Sequence, residues 1–238
     1  MTADSMLGLN ITIIIKVSMV KKTDYRKELD KARSIVTNLP RDGKADTINA
    51  YWEVCCGDVL VAESCIDRVW ETTPLAKEFL DIAQYLEGYD HMLDNLNQAA
   101  KRLADCITEH PSLKLRLLQF RLLVLRRIEA QCGHELGEAE DVANRVRFYS
   151  RNIDLADRGE LHAIEQEGML RDDPIEWTAE YESNIDRAEQ IIAERLGHRH
   201  RGLGFCHTYW ATKAQVLRDE FGIEWRSPAA MNPDVLFD

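Results

Sequence analysis

A chain of 238 residues with 45% hydrophobic and 30% charged positions can bury a real core, which excludes a disordered chain. Twelve glycines and six prolines are too few for a loop-rich β fold. The net charge of -11 argues against a general nucleic-acid or anionic-membrane binder, and no run of apolar residues is long enough to span a bilayer.

Residues 9–17 alternate Leu9, Ile11, Ile13, Ile15 and Val17 with mostly polar neighbours, the period-2 pattern of a strand. Asp4 and Lys16 do not suit a signal peptide, so a cytoplasmic location is expected. From Tyr25 onward the apolar residues step by three and four. The first predicted helix carries Tyr25, Leu29, Ala32, Val36 and Leu39, and Pro40 stops it. The second carries Ile48, Trp52, Cys55, Val59, Ala62, Ile66 and Val69. The third is predicted as one very long helix over about 75–107, roughly 50 Å at 1.5 Å per residue, opened by Thr73-Pro74.

The fourth, from Leu113 to about Ala130, is apolar on most of its circumference and so is expected at the centre. Its arginines, Arg116, Arg121, Arg126 and Arg127, suit salt bridges to the acidic second and third helices. Val142 to Ala156 gives a fifth helix, and residues 160–170 a short irregular piece. Asp173-Pro174-Ile175-Glu176 has the form of a capping box for a sixth helix, which Gly197 closes. Trp210, Ala214, Leu217 and Phe221 mark a seventh, closed by Gly222, and Ser227-Pro228 opens a last short turn. The fold class expected is therefore all-α, an antiparallel bundle of about seven helices. It divides into a strand-like extension (1–18), the helical domain (19–222) and an aromatic tail (223–238). That tail is too apolar to float, and Trp225 and Phe237 are its candidate anchors, on the bundle or on a partner.

The densest polar cluster is His198-Arg199-His200-Arg201-Gly202-Leu203-Gly204, followed at a helix start by Cys206, His207 and Tyr209. His198, Arg199 and His200 are candidate binding residues, because backbone N–H groups at a helix N-terminus attract anions. Arg201, five residues, His207, one residue and Tyr209 resembles the Arg-x(4–6)-His-x-Tyr motif of the HEPN superfamily of helical ribonucleases. The match covers nine residues, and Gly202 stands where family members often carry a polar residue. The resemblance implies metal-independent RNA cleavage by a dimer, with Arg201 on the phosphate, His207 moving the proton of the 2′-hydroxyl and Tyr209 on the nucleotide.

Other chemistries find less to build on. The six cysteines include no CxxC pair, which suits reduced thiols rather than a disulfide framework. Cys132, His134, His198, His200, Cys206 and His207 lack zinc-finger spacing, so no metal and no cofactor are implied. Glu87, His91 and Asp94 share a helix face without the paired Glu-x-x-His motifs of a di-iron site. The function expected is that of a helical-bundle protein acting through contacts with a protein partner or a second copy. A HEPN-like endoribonuclease is the alternative, RNA being a partner only under it.

Overall fold

The computed structural model describes residues 24–40, 44, 47–65, 68–197 and 202–237, and every regular element among them is helical. The strand expected at residues 9–17 lies outside the described residues. The helices are α1 (Tyr25–Val36), α2 (Ile48–Ser64), α3 (Thr72–Ala83), α4 (Leu93–Cys106), α5 (Pro111–Cys132), α6 (Gly137–Asp157), α7 (Ala179–Leu196), α8 (Phe205–Phe221) and α9 (Pro228–Met231). Local chemistry sets many of their ends. Asp24 caps α1 by accepting from the Lys27 N–H, and Ser227 caps α9 by accepting from the Ala230 N–H. Gly222 ends α8 at φ 71°, a left-handed conformation that costs glycine little.

The apolar stripe over 75–107 is carried by two helices, not one. α3 stops at Ala83; Tyr89 is extended, at φ -107° and ψ 110°, and a 3-10 turn at Asp90–Met92 leads into α4. Gly88, where an added Cβ would meet nothing within 4 Å, makes a continuous helix costlier by roughly 1 kcal/mol at this point. The break lets both segments rest on α2 and α5. Their stripe is still core, since Phe79, Leu86, Leu93, Leu96 and Leu103 are fully buried. Leu93→Ala should cost about 2–5 kcal/mol, readable as a lower urea midpoint.

The sixth predicted helix is likewise divided. Asp173 and Pro174 open only a 3-10 turn, Pro174–Trp177, and α7 starts afresh behind a Thr178 cap. The capping box is only half made: Asp173 accepts the Ile175 N–H while also pairing with Arg226, but Glu176 accepts from the Trp225 indole instead of closing back on the chain. Residues 160–170 contribute one 3-10 turn, Leu161–Ala163. The second predicted helix ends at Ser64, leaving Val69 to a 3-10 turn, Val69–Glu71.

The main core joins α1 to α5. α1 and α2 meet closely at Gly57, where a Cβ would lie 2.8 Å from the Leu29 Cδ1. Arg121 of α5 is buried, donating from Nε to Asn97 at 2.8 Å and pairing with Glu138 of α6. Arg126 also turns to α6, at Glu140, while Arg127 reaches Glu87. The arginines of α5 thus serve α6 more than the acidic second helix. The six cysteines are free thiols, Cys55 and Cys65 buried and Cys132 exposed.

A second core is separate: Tyr181, Ile185, Ala188 and Ile192 of α7 pack on Val216 and Leu217 of α8, with Ile223 and Trp225 beyond it. Between this pair and the main core runs a seam of ionisable side chains.

Candidate functional site: the charged seam beside α7 and α8

The seam comes from the spacing on α7. Its apolar stripe is Tyr181, Ile185, Ala188 and Ile192, and Glu182, Asp186 and Glu189 run alongside at helical spacing, facing the α4–α5 junction and α8. Glu182 accepts the Ser112 and Leu113 N–H groups at 3.2 Å each, so a carboxylate satisfies the start of α5. His110, just before α5, lies 2.8 Å from Asp186 through Nε2 and 3.6 Å from Glu182 through Nδ1. Burial alone would discharge this imidazole, but the hydrogen bonds to Asp186 and Glu182 outweigh it and lift its pKa to about 9. Thr73 of α3 donates to the same Asp186 at 3.2 Å, which ties three elements to one carboxylate.

One turn further along α7 lies Lys213 of α8, 3% exposed. Its Nζ is 3.0 Å from Glu109 and 3.5 Å from Glu189, above the rings of Trp225 at 5.0 Å and Tyr181 at 5.7 Å. Each carboxylate also takes one ring donor. Tyr181 donates to Glu109 at 2.5 Å, Tyr209 to Glu189 at 2.5 Å, and the Trp225 indole to Glu176 at 2.6 Å. Burial works against charge on Lys213, yet its carboxylates overcome that and keep its pKa raised. Glu109 is held below the usual carboxylate range because Lys213 overrides its own burial. Burial lifts Glu189, and burial with the nearby Glu109 charge pushes Glu176 up to about 7. Three carboxylates share one cation.

Of the residues singled out by motif, His198, Arg199, His200 and Arg201 lie outside the described residues. His207 is exposed in the first turn of α8, and its Nε2 lies 3.0 Å from the Phe237 carbonyl, which an Nε2–H can meet as donor. Trp210 stands edge-on between the rings of His207 and Phe237, at 5.5 and 5.2 Å. Tyr209, two residues along and so about 200° around the helix, turns inward to Glu189. His207 and Tyr209 therefore serve different sides of α8: one meets the Phe237 carbonyl, the other the buried seam. Trp225 is buried against α7 and α8.

Motif reading passed over Lys213, Glu109, Glu189 and His110. A signal for Lys213 was present, since it lies three residues after Trp210 and four before Leu217 on the apolar stripe. Charge at an apolar stripe position demands a buried counter-ion. Nothing comparable marks Glu109, which sits between helices and finds Lys213 through tertiary packing.

A cavity of about 370 Å³ opens where α7, α8 and the Val69–Glu71 turn meet. Val69, Trp70, Ile192, Leu196 and Phe205 form its apolar walls, and Glu189 and Tyr209 supply polar groups. On the far side of the main core, Asp58 of α2 is wholly buried with neither carboxylate oxygen hydrogen-bonded. Burial, then the neighbouring Glu78, raise its pKa, while Arg33 lies 3.6 Å away. Among the described residues, no three His, Cys, Asp or Glu side chains converge to hold a metal ion, and no helix is long and apolar enough to cross a membrane. No protein-family model, no curated protein and no solved structure matches this chain.

Proposed function

We propose that this chain is a helical protein-interaction module whose contact surface lies at the start of α8. The observation that carries the reading is the pairing of His207 with the Phe237 carbonyl, which uses the imidazole to hold Phe237 against Trp210. Held in this way, the segment around Phe237 presents Leu236, 98% exposed, near the start of α8, which Leu203, 91% exposed, closely precedes. Large apolar side chains that open to water support a binding role when they gather at one end of an element. In sequence the basic run His198-Arg199-His200-Arg201 adjoins Leu203, so the partner that fits is a protein with an apolar patch rimmed by carboxylates.

The second reading, a HEPN-like ribonuclease, draws on the exposure of His207 at a helix start. Against it, the Tyr209 hydroxyl is engaged by Glu189 in the interior, so a nucleotide would have to be met without it. A photo-crosslinking residue at position 236 should give adducts with protein, and the paired change Leu203→Asp with Leu236→Asp should abolish them without altering helical content. Labelled RNA should remain intact with the parent chain and with His207→Ala alike. RNA cleavage that His207→Ala abolishes, with no protein adduct formed, would overturn the interaction reading.

A further inference from the structure

We propose that the cavity between α7, α8 and the Val69–Glu71 turn binds a small organic ammonium with an apolar or aromatic body, with Glu189 as its counter-ion. The inference does not depend on the contact surface at the start of α8. A volume of about 370 Å³ lies within the range of small-ligand sites, which are mostly apolar with a few polar groups that fix orientation. Trp70, Ile192, Leu196 and Phe205 supply the apolar walls and Glu189 the fixed charge.

Glu189 is only 5% exposed, yet it borders the cavity. Its hydrogen bond from Tyr209 falls on Oε1, and the approach of Lys213 is to that same atom. Oε2 is left to a donor arriving through the cavity, and it is not among the sealed, unpartnered atoms of the interior. The charge balance specifies that donor. Lys213 lies closer to Glu109 than to Glu189, at 3.0 against 3.5 Å, and Glu176 is a third carboxylate nearby. The cluster is thus short of positive charge, and a second cation at Glu189 would supply it. An anion would meet a buried carboxylate, and a neutral ligand would leave that carboxylate sharing Lys213 with Glu109. Trp70 also lines the cavity, so an aromatic side chain stands beside the same ammonium or its aromatic body.

Isothermal titration of the full chain with 2-phenylethylamine, 2-phenylethanol and phenylacetate tests this, since the three share a ring and differ in the charge of the head. The amine should bind saturably, about tenfold or more tighter than the alcohol, as a charge-assisted hydrogen bond implies, and phenylacetate should not bind. Glu189→Gln should remove the preference for the amine. Because that change also touches the Lys213 cluster, Ala193→Phe serves as an independent variant: it fills the cavity from the α7 wall, leaves the carboxylate in place and should abolish binding of the amine. Equal binding of amine and alcohol, amine binding that survives Ala193→Phe, or no saturable heat up to ~10 mM amine would each overturn the proposal.

Discussion

Raising the pH from about 6 to about 9 should destabilise this protein by a few kcal/mol and lower its melting temperature steadily across that interval. His110 is one of two main sources, with Asp58. Its pKa is about 9 in the folded chain against 6.5 for the free group, so folding favours its protonated form. The stability this provides is complete below pH 6.5 and lost as the pH rises through 9, about 3 kcal/mol at most for a shift of that size. Glu176 acts with the same sign: its folded value near 7 lies above 4.5, so its contribution falls away as the pH climbs through 7. Asp58, buried without a hydrogen bond, adds to the trend because ionising it inside the core is costly. Glu109 and Glu182 work the other way. Their folded values are lowered, so what they contribute is present above the usual carboxylate range and disappears in acid. Maximum stability is therefore expected in the ordinary carboxylate range, near about pH 4–5, and melts from pH 3 to 9 check it. His110→Gln should flatten the alkaline limb, and Asp58→Asn should raise the melting temperature at pH 8. Stability that held constant or rose between pH 6 and 9 would sink this account of the seam.

The helical class and most helix ends were legible in the sequence because they depend on local signals. Gly197, Gly222, Ser227 and the three-four stepping of apolar residues act within a turn or two of themselves. The break between α3 and α4 was not legible, since the apolar stripe keeps its spacing straight through it; Phe79, Leu86 and Leu93 are buried on either account. Periodicity reports which side of a segment is buried, not whether the segment is continuous. The capping box at Asp173 failed for a related reason. Trp225, about fifty residues away, takes the Glu176 carboxylate that would have closed it, while Asp173 keeps its cap on Ile175 beside Arg226. The same distance hid the seam. Glu109 and Lys213 are 104 positions apart, and His110 and Asp186 are 76 apart, so no window of sequence contains either pair. Tyr209 shows the complement: it was singled out by a motif, and its hydroxyl lies in that seam on Glu189.

Lys213→Met should destabilise the fold by about 3–5 kcal/mol, the largest effect expected of any single change in the seam. Methionine keeps most of the stem that lies over Trp225 and Tyr181, so packing is nearly preserved and the loss reports the charge. Without the ammonium, Glu109 and Glu189 keep only their tyrosine donors, and burial then forces them to take up protons or draw in water. The penalty belongs to the stranded carboxylates rather than to the lost pair itself. Combining Lys213→Met with Glu109→Gln and Glu189→Gln should therefore recover most of the stability, because a neutral buried cluster has no charge to desolvate. Arg195→Met provides the control. Arg195 pairs with Glu220 at 2.6 Å, but both side chains are more than a third exposed, and such a pair contributes about 0–1 kcal/mol. Urea titrations of the four proteins at pH 6 make the comparison. If Lys213→Met costs no more than Arg195→Met, the buried lysine is not the charge that holds α8 against the rest of the molecule.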